Sequence, residues 1–352
     1  QKVVKQTMCD LGFSSCITSP CLYYHQGRDI FVVAHVDDFL CSGKGTDIQW
    51  LKKELEKKFG LTSQILGPGQ SGNYLGRTIS WESDGISIEG ENKYIDTMIL
   101  EWELGNASSL STPGCNEDKR EPGGEEELCP RMSTAFRRSA AMANYMAQDR
   151  PDISFASKEV SRGMACPTRL DTIKLKRLIR YLSGARRKAI MYKWQNPTDQ
   201  LTVFSDSDWA GCIKTRRSTS GGVLFHGQHL VHHWSSTQAT VALSSAEAEL
   251  NAVVKGVAEG LFLKHLLLEC SRVCSGRIFT DSSAANGIVH REGCGKVKHL
   301  ECRQLWVQGI VGKGQVTCLK VPRADNPSDA MTHYFSYIDG VSHFNRIGLV
   351  DK

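Results

Sequence analysis

The order of elements after Leu201 constrains this chain most. Leu201 to Ser205 reads as a strand that ends on an acidic pair, Asp206 and Asp208. Gly221 to His226 and His229 to Trp234 follow as two strands around a Gly-containing turn. Ser244 to Leu268 is a long helix, in which Leu250, Val253, Val254, Val257, Leu261, Leu263 and Leu267 build a broad apolar side. Arg277 to Thr280 is a fourth strand, and Ser282 to Val289 and Val297 to Val311 are helices. Gln315 to Val321 is a fifth strand, and Asn326 to Met331 starts a last helix. Three hairpin-joined strands, one helix, then alternating strands and helices predict an α/β unit: a mixed five-stranded sheet flanked by helices.

Four acids fall where that architecture brings elements together. Asp206 lies at the end of the first strand, Glu249 on the long helix, Asp281 at the end of the fourth strand, and Asp329 near the start of the last helix. Taken singly, each suits an ordinary surface or capping role: Asp206 a turn, Asp281 a helix N-cap. Taken together they point to phosphodiester hydrolysis, which must stabilise both an attacking water and a leaving oxygen. Two hard cations about 4 Å apart do both. Mg²⁺ prefers oxygen ligands and keeps several waters, so a few carboxylates hold it. The cations also relieve the repulsion among the acids.

Upstream, the chain reads as helix, hairpin, helix. Cys21 to Tyr24 and Ile30 to His35 are strands joined through His25-Gln26-Gly27-Arg28, and Asp47 to Phe59 has Ile48, Leu51, Leu55 and Phe59 at helical spacing. Short strands are expected around Tyr74 to Trp81 and Gly85 to Ile88, and a helix from Lys93 to Trp102. Ser108 to Pro130, rich in Ser, Pro, Gly and acid, reads as a solvated linker. Met132 to Gly163 is mostly helical with a break at Asp149-Arg150-Pro151-Asp152, and Leu170 to Leu182 is a further helix. Lys174 to Lys193 carries eight basic residues and no acid: a solvated helix face or a phosphate-facing surface.

Composition adds exclusions. The net charge of +5 over 352 residues is uninformative as a total. Thirteen cysteines without tight repeated spacing argue against a secreted disulfide framework and against a zinc site, and predict buried free thiols in a reducing compartment. No apolar run reaches the roughly 18 residues that span a membrane. Gln1 to Lys5 shows no initiator Met and no signal-peptide pattern, as expected of an interior piece of something longer.

The stretch from about Leu201 to Met331 closely resembles the ribonuclease H domain of copia-type retrotransposons. The resemblance rests on Ser205-Asp206-Ser207-Asp208-Trp209-Ala210-Gly211, Arg217-Ser218-Thr219-Ser220-Gly221, Trp234-Ser235-Ser236, Thr240-Val241-Ala242-Leu243-Ser244-Ser245, Glu247-Ala248-Glu249, Lys298-His299 and Ala324-Asp325-Asn326-Pro327-Ser328-Asp329. It implies that Asp206, Glu249, Asp281 and Asp329 are the catalytic metal ligands, holding two Mg²⁺ with Mn²⁺ as a substitute. Glu247 and Asp208 stand two residues from two of these, so the register of the assignment stays open there. The family usually carries Thr-Lys where this chain has Thr332-His333. His299 is either a helix-surface residue or a mobile histidine that aids product release.

Upstream, Phe31 to Leu40 resembles the palm hairpin of copia-type reverse transcriptases, with Asp37 and Asp38 as a partial polymerase site. Leu11-Gly12-Phe13, Tyr74-Leu75-Gly76, Arg150-Pro151-Asp152-Ile153 and Arg180-Tyr181-Leu182-Ser183-Gly184 agree with it. His35 replaces the family's aromatic residue, and the third polymerase Asp and the fingers fall outside the chain, so polymerase activity is not expected from this chain alone. The resulting division is a partial palm and thumb at 1–107, a linker at 108–130, a helical connection at 131–195, a ribonuclease H domain at 196–335 and a tail at 336–352. The whole is thus a ribonuclease H-like α/β domain preceded by an α+β partial palm, thumb and connection.

The implied activity is metal-dependent cleavage of the RNA strand of RNA–DNA hybrids, with hybrid, DNA and RNA as partners alongside further Pol segments (fingers, integrase), and with no membrane. Ser207, Arg216, Arg217, Ser218, Ser244, Ser245 and Asn286, with Thr219, are candidates to read the 2′-hydroxyl and the groove. Arg216 and Arg217 serve equally as loop solubilisers, and Trp209 and Trp234 are expected in the core. Similar elements act in cytoplasmic virus-like particles and then the nucleus. Two alternatives differ in class: a catalytically inactive nucleic-acid-binding remnant of a decayed element, and an Asp-rich transposase or integrase core.

Overall fold

The computed structural model describes residues 2–115 and 124–352; the middle of the expected linker, 116–123, lies outside the described residues. The first unit runs α1 (Lys2–Asp10), β1 (Ser14–Ser15), β2 (Leu22–His25), β3 (Ile30–His35), β4 (Asp38–Ser42) and α2 (Gly45–Phe59). Its four strands form one antiparallel sheet in sequence order. Met8, Phe13, Tyr23, Ile30, Val32, Leu51 and Leu55 make its core, so the expected hairpin and amphipathic helix pack on each other.

A second sheet draws on distant parts of the chain. It contains β5 (Ser71–Tyr74), β6 (Arg77–Trp81), β7 (Gly85–Glu89), β8 (Lys188–Lys193) and, from the C-terminus, β14 (Leu349–Asp351), in the antiparallel order β14-β8-β7-β6-β5. The single strand expected over Tyr74 to Trp81 is split in two by a tight turn. Leu75 and Gly76 both take positive φ there (49° and 76°), the conformation that two-residue hairpins demand. Between β7 and β8 come α3 (Lys93–Glu101), α4 (Pro130–Met146), α5 (Ser154–Ser161) and α6 (Arg169–Gly184). Pro130 opens α4 at its first turn, and Thr168 and Asp171 cap α6 reciprocally. The helices bury Ile95, Phe136, Ile153, Leu175, Leu178 and Leu182 together.

The basic run of α6 and β8 is largely spent within the fold. Arg177 reaches Thr112, Arg180 reaches Ser108, Arg186 pairs with Asp96, Arg187 with Glu89 and Lys188 with Asp351. Linker contacts and ion pairs, rather than a free phosphate-facing stripe, account for most of these charges.

The third sheet has the expected ribonuclease H-like form. Its strands are β9 (Gln200–Asp208), β10 (Thr219–His226), β11 (His229–Thr237), β12 (Ser275–Thr280) and β13 (Thr317–Lys320), in the order β11-β10-β9-β12-β13. The first three are antiparallel, and β12 runs parallel to both β9 and β13. Helix α7 (Ser245–Glu269), capped by the Ser244 hydroxyl, lies across β9 and β12. Leu250, Val253 and Val257 face Val203 and Ile278 there, each apolar side chain stabilising by roughly 1.5–3 kcal/mol relative to exposure. Gly256 permits this approach, since a Cβ in its place would meet Ile278 Cδ1 at 2.8 Å and Val203 Cγ1 at 3.0 Å.

Helices α8 (Ser283–Val289) and α9 (Cys302–Gly312) complete that side. The helix expected from Val297 begins only at Cys302, after a loop in which Gly293 and Gly295 take positive φ. The last expected helix, from Asn326, is a 3₁₀ turn over Pro327–Met331, held by the Asn326 side chain accepting from the Ser328 amide. Residues beyond it form α10 (Tyr337–Arg346) and then β14. Met331, Phe344, Ile347 and Leu349 pack with Val223 and Phe225, so the C-terminal segment covers the sheet face opposite α7. Among the described residues no helix is long and apolar enough to cross a membrane. Among the described residues no cysteine forms a disulfide. Only Cys16, Cys270, Cys274 and Cys318 are buried, so burial explains fewer of the thiols than composition suggested.

Candidate active site

The four acids arrive from four separate elements. Asp206 lies on β9 and pairs across the ladder with Gly221 of β10. Glu249 sits in the second turn of α7, Asp281 directly follows β12, and Asp329 belongs to the 3₁₀ turn. A Cβ at Gly221 would meet Thr332 Cγ2 at 2.6 Å and Met331 Cβ at 2.7 Å. A glycine at this position therefore lets the turn carrying Asp329 lie flat against the strand carrying Asp206.

The side chains meet in two overlapping groups. One oxygen each from Asp206, Glu249 and Asp281 lie within 4.8 Å of one another, and so do donor atoms from Asp206, Asp329 and His333. Asp206 is common to both and is buried. Among the described residues these are the only such groups of acid, histidine or cysteine side chains. Among the described residues no third ligand-type side chain joins Asp37 and Asp38, which sit exposed at the β3–β4 turn.

Electrostatics mark the cluster as strained without a counter-charge. Burial first, and then the charges of Asp329 and Asp281, push the Asp206 carboxyl up to about 7, against a lowering hydrogen bond from Thr332. Burial, then Asp206 and Asp281, push Glu249 up to about 8. Asp281 is raised by burial and by Asp329. Burial also pulls Asp329 upward, but the hydrogen bond and charge of His333 outweigh it and hold the carboxyl low. Glu249 Oε2 and Asp329 Oδ1 are buried without a well-formed hydrogen bond; Arg323 Nε pairs with Asp329 Oδ1 at 3.4 Å, and Ser207 lies beside the Glu249 carboxylate and lowers it. Oxygen donors in surplus, converging from four elements and crowded enough to raise three of their own carboxyls, fit a hard divalent cation.

The open register between neighbouring acids has a geometric answer. Glu247 is engaged in local structure: it accepts from the Leu243 amide at 2.8 Å and from Gln304 Nε2 at 3.2 Å, and His299 Nε2 lies 3.3 Å away. Asp208 is held by the amide and hydroxyl of Thr219. Neither belongs to the two groups, whereas Asp206 and Glu249 do. His299 lies in the loop before α9 rather than on a helix, and also touches the Ser244 hydroxyl at 3.3 Å.

The candidate nucleic-acid contacts separate by exposure. Arg216, Arg217 and Ser245 are exposed, and Ser207, Ser244 and Asn286 are half-buried. Asn286 Oδ1 has no hydrogen-bond partner, whereas Ser207 lies beside the Glu249 carboxylate and lowers it. Ser218 and Thr219 are fully buried, and the Ser218 hydroxyl accepts from the Ala210 amide, which places it under the surface. Trp234 is buried as expected, but Trp209 is 54% exposed with its Nε1 donating to the Ala242 carbonyl. Sequence reading missed His333 as a member of the cluster. Its signal was the i,i+4 spacing from Asp329, which gives an Nε2 to Oδ2 contact of 2.8 Å.

Fold and site together define the class: a ribonuclease H-like fold that carries a carboxylate cluster able to hold divalent cations. No protein-family model matches the chain. It is 28% identical over 338 residues to the Retrovirus-related Pol polyprotein from transposon TNT 1-94 of Nicotiana tabacum, a match covering 90% of this chain and 24% of that protein. It is 31% identical over 238 residues to an uncharacterized mitochondrial protein of Arabidopsis thaliana, covering 65% of this chain and 92% of that protein. Among solved structures, a foamy viral protease-reverse transcriptase in complex with dsDNA shares the fold, with TM-score 0.51 at 12% identity, over 83% of this chain and 55% of that chain. The chain is thus a relative of the retrovirus-related Pol polyproteins of plant transposons. It spans about a quarter of the length of the Pol relatives that it matches.

Proposed function

We propose that residues 196–335 form a ribonuclease H that hydrolyses the RNA strand of RNA–DNA hybrids, with divalent cations held by Asp206, Glu249, Asp281 and Asp329. The observation that carries this reading is the convergence of these four carboxylates in two groups that share the buried Asp206. Two Mg²⁺, or Mn²⁺ in their place, supply Lewis-acid stabilisation of the attacking and leaving oxygens when bound. Asp206 belongs to both groups and so would be a ligand at either cation position. Ser207, beside Glu249, and Asn286, with a free Oδ1, offer polar atoms for the 2′-hydroxyl, and the exposed Arg216 and Arg217 offer phosphate contacts. In the upstream unit, Asp37 and Asp38 are half of a polymerase site that further Pol segments complete.

Side-by-side cleavage of labelled RNA–DNA hybrid, duplex DNA and single-stranded RNA, with Mg²⁺ or Mn²⁺, tests this. Only the hybrid is expected to be cut, in its RNA strand, and the Asp206→Asn chain is expected to be inactive. Hybrid binding without cutting by either chain would leave the inactive binding remnant as the reading. Cutting of duplex DNA instead would favour a transposase-like core.

A further inference from the structure

We propose that His333 is itself a metal ligand: its Nε2 coordinates the cation shared by Asp206 and Asp329, giving one of the two positions a mixed oxygen–nitrogen donor set. This rests on the metal-site reading above and extends it to a side chain outside the four acids.

The geometry fixes which ring nitrogen faces the site. His333 Nε2 lies 2.8 Å from Asp329 Oδ2, and His333, Asp329 and Asp206 each place a donor atom within 4.8 Å of the others. On the other side of the ring, Nδ1 lies 2.9 Å from the Thr332 hydroxyl. That hydroxyl has one proton and two acceptors competing for it. It donates to Asp206 Oδ2 and faces the Asp329 carbonyl at 3.0 Å. Toward His333 it can therefore only accept, so Nδ1 carries a hydrogen. Without metal, Nε2 donates its own hydrogen to Asp329 across the 2.8 Å contact; a cation that takes that hydrogen's place would meet the Nε2 lone pair between Asp329 and Asp206. Metal-binding histidines are oriented in this way, with the remote N–H anchored on an oxygen that is itself tied to the site. Here a single hydroxyl serves both ligands: it anchors the ring of His333 and bonds the carboxylate of Asp206.

A nitrogen donor changes which cation the site prefers. Carboxylate and water suit Mg²⁺, whereas imidazole moves preference toward first-row transition ions. The position built from Asp206, Asp329 and His333 is therefore expected to favour Mn²⁺ over Mg²⁺. The position built from Asp206, Glu249 and Asp281 is all oxygen.

The test is Mn²⁺ titrated into the full chain, with bound metal counted by electron paramagnetic resonance and its ligands read by pulsed measurement of nitrogen coupling. Wild-type protein is expected to show coupling from a directly bound imidazole nitrogen. His333→Gln is expected to lose that coupling and about ten-fold or more of the Mn²⁺ affinity at one position, with Mg²⁺ competition much less changed. Bound Mn²⁺ that disappears in Asp206→Asn but shows no nitrogen coupling in wild type would overturn the proposal and leave the carboxylate site standing. Coupling that persists in His333→Gln would do the same. No Mn²⁺ bound by wild type would overturn both readings. Should His333→Gln fail to fold, the wild-type spectrum decides, because the presence or absence of nitrogen coupling needs no variant.

Discussion

The hydroxyl of Thr332 donates to the buried carboxylate of Asp206, 126 residues earlier in the chain. A hydrogen bond to an ionised group favours the ionised form, so this contact works against the burial that raises Asp206. Thr332→Val keeps the shape and removes the donor. The expected result is a higher Asp206 pKa and a loss of about 1.5–3 kcal/mol where the carboxylate is ionised. Mn²⁺ binding should then weaken more at pH 6.5 than at pH 8.5. Equal affinity losses at the two pH values would show that the hydroxyl does not tune this carboxylate.

Stability without metal should depend on pH in a defined direction. The Asp206 and Glu249 carboxyls sit at about 7 and about 8 in the fold, above ordinary values of 3.8 and 4.5. The folded state therefore binds more protons than the unfolded state between about pH 4 and pH 8, and stability falls as pH rises through that window. The cost is fully present above the folded values. Thermal unfolding in a chelator should show Tm dropping from pH 5 to pH 9, and Mg²⁺ should restore it. The double variant Asp206→Asn, Glu249→Gln should flatten the drop. A flat wild-type profile would contradict the crowding of charge described here.

Glu247 and Glu249 are two residues apart and differ in what they touch. Glu249→Gln should abolish metal-dependent cleavage and leave the unfolding midpoint unchanged or raised, because it removes a buried charge from a repulsive cluster. Glu247→Ala should cost about 1–2 kcal/mol, since the Leu243 amide and Gln304 lose their acceptor at the start of α7, and should leave cleavage intact at permissive temperature. The reverse outcome would shift the metal ligand by two residues.

The sequence made the succession of strands and helices in the third sheet and the four acids legible because both depend on local signals. Strand ends, the apolar stripe of α7 and the acid positions can be read one segment at a time. Two features were not legible. The segment after Met331 reads as a tail, yet Leu349–Asp351 pairs with Lys188–Lys193, and a three-residue strand carries too little alternation to declare its partner. His333 reads only as a departure from a Thr-Lys pattern. Its role depends on a 3₁₀ turn lying flat on β10, which the sequence announces by nothing louder than Gly221. Trp209 went the other way: a large ring predicts burial, but a strand end at the rim of a site leaves half of it in solvent.

Two motifs of the helical segment between β7 and β8 meet in one buried contact. Arg150 donates to Asp152 through two bonds, Nε to Oδ1 at 2.9 Å and Nη2 to Oδ2 at 2.7 Å, and the Tyr181 hydroxyl donates to the same Oδ2 at 2.7 Å. Arg150 and Asp152 are 3% exposed each, so removing one partner strands the other charge in the interior. Asp152→Ala should therefore cost about 3–5 kcal/mol. Tyr181→Phe removes one of three hydrogen bonds to a carboxylate that stays paired, and should cost about 1.5–3 kcal/mol. Burial alone raises the Asp152 carboxyl, but Arg150 and Tyr181 reverse this and hold it below its ordinary value. The contribution of the network is thus present above about pH 4 and is lost as pH falls through the lower folded value. Urea unfolding at pH 7 and at pH 3 measures both effects. The gap between wild type and Asp152→Ala should narrow at the lower pH, and a gap that widens there would mean that the pair does not hold these helices together.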